Sequence, residues 1–113
     1  MTDKHLSSQF DSELTSVSNR VMEMGGLVES QIRTAVNALA LFSVQEADQV
    51  AETEGLVNEM EVEIDRELSS IIARRQPTAR DLRLLIAISK TTANLERAGD
   101  EARIAIQAQR ELC

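Results

Sequence analysis

Residues 71–85 read IIARRQPTARDLRLL, and this stretch decides the fold. Pro77, the sole proline of the chain, biases Gln76 out of the helical region and so ends whatever helix precedes it. Arg74 and Arg75 stand where positive charge suits the carboxyl end of a helix dipole. Thr78 followed three residues later by Asp81 repeats the pattern that starts a helix: a hydroxyl at the cap, then a carboxylate. One helix therefore stops near 74 and another begins near 79.

Working outward, the segment before this break carries an apolar stripe at Val50, Val57, Met60, Ile64, Leu68, Ile71 and Ile72. It starts at a second break, where Ser43-Val44-Gln45-Glu46 fits a capping box. Upstream of that, apolar residues run Leu6, Phe10, Leu14, Val17, Val21, Met24, Val28, Ile32, Ala35, Leu39 and Phe42, a mean spacing of about 3.6 residues, the helical period. Gly25-Gly26 interrupts the run and predicts a close backbone approach in preference to a kink. After the break, Leu84, Ile88, Leu95, Ala102 and Ile106 form one stripe, with a second patch at Leu82, Leu85, Ile86 and Ala93 pointing elsewhere. The expected fold is all-α: an antiparallel three-helix bundle spanning 1–113, with helices over roughly 6–42, 46–74 and 79–111.

Composition agrees. The chain has 113 residues, 42% hydrophobic and 27% charged, with no Trp or Tyr and only Phe10 and Phe42 as aromatics. That is enough chain for one core. A net charge of −7 argues against general nucleic-acid binding and favours cations or basic partners. No apolar run reaches the roughly 20 residues of a membrane span, and the start MTDKHLSSQF has no apolar signal core. With Cys113 the lone cysteine, a cytoplasmic location is expected.

Chemistry is concentrated in carboxylates. Glu96 and Asp100 stand four residues apart in LERAGDEA, as do Glu61 and Asp65 in EVEID, so each pair stacks on one helix face. Like charges placed this way repel by a few tenths of a kcal/mol, which a cation would offset. Both pairs lie off the core stripes, with Glu54 and Asn58 on the same flank as Glu61. Antiparallel helices would bring them to one groove, where oxygen donors suit Mg, Mn, Ca or Fe over zinc. Plain solvated surface is the competing reading of the same residues. His5, the single histidine, belongs to the N-terminal tail, and no nucleophile–base set can be assembled, so the chain is not expected to be an enzyme. Arg74, Arg75, Arg80 and Arg83 form the one basic patch, either helix-end and surface charge or a dock for an acidic partner. Leu82, Leu85 and Ile86 are the apolar candidates for such a dock.

Together MGGLVE at 24–29, MEVEID at 60–65, IIARRQPTARDLRLL at 71–85 and ISKTTANLERAGDEA at 88–102 resemble the PhoU family. Ala98 stands where that family usually has isoleucine. The resemblance implies two tandem three-helix bundles, of which this chain is similar to the amino-terminal one. It implies that Glu61, Asp65, Glu96 and Asp100 match metal-associated carboxylates that take iron, Mn or Mg. It further implies negative regulation of the phosphate-starvation response, by an adaptor coupling a phosphate ABC-transporter ATPase to a sensor histidine kinase at the inner membrane. Self-association of the bundle is also expected. A metal-storage bundle and a purely structural interaction module are the alternatives.

Overall fold

The computed structural model describes residues 2–112, with side chains from residue 8 onward. The readings of the His5 and Leu6 side chains and of Cys113 lie outside the described residues. Three helices, α1 (Thr2–Leu41), α2 (Val44–Arg75) and α3 (Ala79–Leu112), form an up-down-up bundle with extents of 64 × 17 × 17 Å.

The turns follow from local chemistry. Phe42 takes φ 55, a left-handed residue closing α1, and Ser43 N–H donates back to the Ala38 carbonyl at 3.2 Å. The same Ser43 caps α2, its hydroxyl accepting from Glu46 N–H at 3.3 Å. Only half of the expected capping box forms, because the Ser43 N–H is spent on Ala38 and Glu46 Oε2 is left buried without a partner. At the second turn Gln76 is left-handed with φ 46, Pro77 follows, and the Thr78 hydroxyl accepts from Asp81 N–H at 3.3 Å.

The core corrects the stripe register. Buried positions on α1 are Phe10, Val17, Met24, Gln31 and Ala38, flanked by Val28 and Ala35. On α2 they are Val50, Val57, Ile64 and Ile71, and on α3 Leu85, Thr92, Gly99 and Ile106. These sevenfold spacings are those of helices packed knobs-into-holes, at 3.5 residues per turn. A stripe extrapolated at 3.6 drifts by about 20° per heptad. Hence Ile32 and Phe42, expected inside, are exposed, while Gln31 and Ala38 face inward. Ile72 and Leu84 likewise lie at the surface. Leu85, expected on an outward patch, is 1% exposed and belongs to the core, so it is no partner-docking residue. Each such fully buried large aliphatic side chain contributes about 1.5–3 kcal/mol.

The glycine expectation also moves. Gly25 meets only Leu95 at 4.0 Å from its would-be Cβ, and Gly26 meets nothing, while α1 runs unbroken through both. The close approach is at Gly99. There an added Cβ would come within 2.5 Å of Gln31 Oε1 and 3.3 Å of Glu54 Oε2.

The interior is therefore divided. One apolar cluster runs from Phe10 to Val28 on α1 with Val57, Ile64, Leu68, Ile71 and Leu85. A second, smaller cluster holds Ala35, Ala38, Ala47, Val50 and Ile106. Gln31, Glu54 and Gly99 fill the layer between them, and that polar layer positions the site.

Candidate metal centre

Glu54 stands at a heptad position of α2 and is 5% exposed. A buried carboxylate needs partners. Gln31 of α1 supplies one, its Nε2 donating to Glu54 Oε2 at 2.7 Å and to the Val50 carbonyl at 3.3 Å. Gly99 makes room for both side chains because it has no Cβ. Gln31 Oε1 is left buried with no hydrogen-bond partner among the described residues.

On α3, Glu96 and Asp100 flank Gly99, and both are half-buried. The structure brings one carboxylate oxygen each of Glu54, Glu96 and Asp100 within 4.8 Å of one another. Glu61 lies alongside and Asp65 is exposed beyond it. Glu54 thus joins Glu96 and Asp100 in the tightest set, with the expected neighbour Glu61 close enough to feel the charge of Glu96. Heptad packing explains the change: it turns Glu54 inward against α3 and leaves Asp65 on the outer face. The sequence signal for Glu54 was its place seven residues before Glu61 on the same flank.

Electrostatics mark the cluster as short of positive charge. Burial, then repulsion from Asp100 and Glu54, pushes the Glu96 carboxyl above its ordinary value, and Arg103 opposes the shift. Burial also raises Glu61, with Glu96, Asp65 and Glu54 adding to the rise. Arg103 is the counter-charge, with Nε and Nη2 donating to Asp100 Oδ1 at 3.1 and 2.8 Å. Hard oxygen donors without His or Cys, beside a buried amide oxygen lacking a partner among the described residues, suit Mg, Mn, Ca or iron better than zinc. Ala98 packs against the larger apolar cluster and takes no part in the carboxylate set.

The basic patch separates into two. Arg74 Nη2 donates to Glu13 Oε2 at 2.7 Å, and Arg75 donates through Nε to Glu13 Oε1 at 2.9 Å and through Nη1 to Gln9 Oε1 at 2.9 Å. These two arginines tie α2 to α1 and are already engaged. Both pull the Glu13 carboxyl below its ordinary value. Arg80, Arg83 and Ile86 are exposed on α3, and Leu82 is half-buried. No helix among the described residues is long and apolar enough to cross a membrane.

Comparison with known proteins places this geometry among relatives. Residues 21–107 match the model of the PhoU domain. The chain is 54% identical over 97% of its length to a Burkholderia phosphate-specific transport system accessory protein PhoU homolog, of which it covers 47%. It is 51% identical over 88% of its length to the Escherichia coli K12 phosphate-specific transport system accessory protein PhoU, covering 42% of that protein. The crystal structure of PhoU from Pseudomonas aeruginosa superposes with a TM-score of 0.87 at 48% identity, over 92% of this chain and 50% of that one. The chain thus spans about half the length of the relatives it matches.

Proposed function

The chain belongs to the PhoU family, and from that premise we propose that it serves as an accessory and regulatory module of a phosphate transport system, not as an enzyme. The observation that carries this reading is the match of residues 21–107 to the PhoU domain, and the Glu54, Glu96 and Asp100 cluster gives it a candidate site. A divalent or trivalent cation held there would neutralise the crowded carboxylates and fix α2 against α3. The groove is then an attachment point whose charge changes with occupancy, suited to binding and not to turnover.

In its finer form the reading makes the module a negative regulator of the phosphate-starvation response. It would bridge the transporter ATPase and a sensor histidine kinase from the cytoplasmic side, and self-association would be part of that assembly. Arg80, Arg83 and Ile86, exposed together near the start of α3, support a dock for an acidic partner with an apolar contact. A storage role is less well supported, because carboxylate-bridged redox bundles add Glu-x-x-His pairs and the only histidine here is His5.

Capture of purified transporter ATPase on the immobilised chain tests the proposal. The expected result is capture by wild type, weakened by Arg80→Glu with Arg83→Glu at unchanged helicity. Absence of capture with manganese or iron present would overturn the adaptor reading. Capture indifferent to the charge reversal would overturn the dock.

A further inference from the structure

Arg103 is bound to one of the three clustered carboxylates and stands beside empty space. Two of its nitrogens donate to the same oxygen, Asp100 Oδ1, and Nη1 donates to Gln107 Oε1 at 3.1 Å. Its side chain is 38% exposed. It also forms part of the wall of an open groove of about 410 Å³ between α2 and α3, floored by Ala47, Val50, Ala51 and Ile106. Arg110 lies on the same groove and is held by Asp48 at 2.6 Å.

A guanidinium and a metal ion make opposite demands on this carboxylate. A cation shared by Glu54, Glu96 and Asp100 needs an Asp100 oxygen turned toward the other two. With Arg103 in place, Asp100 Oδ1 already serves two N–H donors, and a full positive charge sits against the carboxylate that a cation would share. Two cations at about 4–5 Å repel by enough to change affinity by an order of magnitude or more even at high effective dielectric. The arginine has somewhere to go. Its alkyl stem can lie along the apolar floor of the groove while its head stays in water, and Gln107 already holds one end.

Resting on the cation reading above, we infer that Arg103 is a resident counter-ion that regulates the site. It holds Asp100 while no metal is bound, and yields that oxygen and swings into the α2–α3 groove when a divalent cation binds. Occupancy is thereby written onto a different surface. The groove around Ala47, Val50 and Ile106, which Glu111 also lines, then gains a guanidinium released from Asp100.

Calorimetric titration of the full chain with Mn²⁺ tests this in wild type, Arg103→Gln and Arg103→Lys, with helicity checked by circular dichroism. Arg103→Gln is expected to bind Mn²⁺ about tenfold more tightly than wild type, and Arg103→Lys, which keeps the charge, is expected to return towards wild type. A merely structural role would weaken binding or leave it alone. The Nε–H resonance of Arg103, assigned by its loss in Arg103→Gln, is expected to shift on titration with Mg²⁺. Equal Mn²⁺ affinity in wild type and Arg103→Gln, or an unmoved resonance at saturation, overturns the inference and leaves the cation site standing. No Mn²⁺ binding in either chain overturns both.

Discussion

Near the α2–α3 turn, two arginines share one carboxylate; at the polar layer, three carboxylates cluster beside one arginine that is bonded to Asp100. Glu13 bridges Arg74 and Arg75, each drawing its carboxyl down, and the three side chains tie α1 to α2. At the layer, Glu54, Glu96 and Asp100 crowd together with Arg103 as counter-charge, and burial pushes Glu96 and Glu61 up. The first arrangement is complete within the chain and reads as a staple. The second is left short of positive charge and keeps a buried amide oxygen unpartnered, which a protein optimised for stability alone would not retain. Charge satisfied internally is architecture, whereas charge left unsatisfied in a set geometry points to something supplied from outside.

The sharpest way to break this contrast is to remove the unsatisfied charge. Glu96→Gln combined with Asp100→Asn is expected to lower Mn²⁺ affinity at least about a hundredfold, equivalent to roughly 2.7 kcal/mol, while the cation-free chain becomes no less stable. Calorimetry and thermal melts check the two halves of that statement, and a lost fold would count against it. Next in size is Gln31→Leu. It removes the donor to buried Glu54 and is expected to cost about 2 kcal/mol in urea unfolding, since a buried charged group then loses its hydrogen bond. A smaller loss would mean that Glu54 does not depend on Gln31.

Acidity separates the two regions by sign. Glu61 and Glu96 have folded values above their unfolded ones, so the native state takes up protons first. Their contribution to stability is greatest when they are protonated and is lost as pH rises through those folded values. Acidifying from neutral pH through the raised folded values of Glu61 and Glu96 is expected to raise the melting temperature, and Glu96→Gln to flatten that rise. Glu13 acts oppositely: its contribution is present above the ordinary carboxylate value and is lost as pH falls through its lowered one. The smallest effect belongs to that staple. Glu13→Gln is expected to cost no more than about 1 kcal/mol at low salt, less at high salt, because part of the pair is exposed. It should leave Mn²⁺ affinity untouched, and any change there would erase the distinction between the regions.

The helices and their breaks were legible in the sequence because caps and proline act locally: Ser43, Pro77 and Thr78 do in the structure what their positions require. What drifted was the inward face. Ile32 against Gln31, and Leu84 against Leu85, are each one residue apart, and choosing between them depends on the 3.5-residue repeat that only packing against two partners imposes. Sequence hydropathy favours Ile32, but supercoiling selects Gln31. The same effect hid part of the site. Glu96 and Asp100 announced themselves by spacing, but Glu54 becomes a neighbour of theirs only through Gln31 on one side and the bare backbone of Gly99 on the other. At the basic turn the partner of Arg74 was hidden for a related reason, since Glu13 lies 61 residues before it and nothing local pairs them.

The central claim is that the crowded carboxylates of the polar layer hold a cation. Thermal melting of wild type and Asp100→Asn, each with and without Mn²⁺ at about a hundred times its dissociation constant, tests it most directly. The account predicts that Mn²⁺ stabilises wild type by roughly 2.7 kcal/mol and Asp100→Asn by clearly less. Equal melting shifts in both chains, or none in wild type at millimolar Mn²⁺, would contradict it.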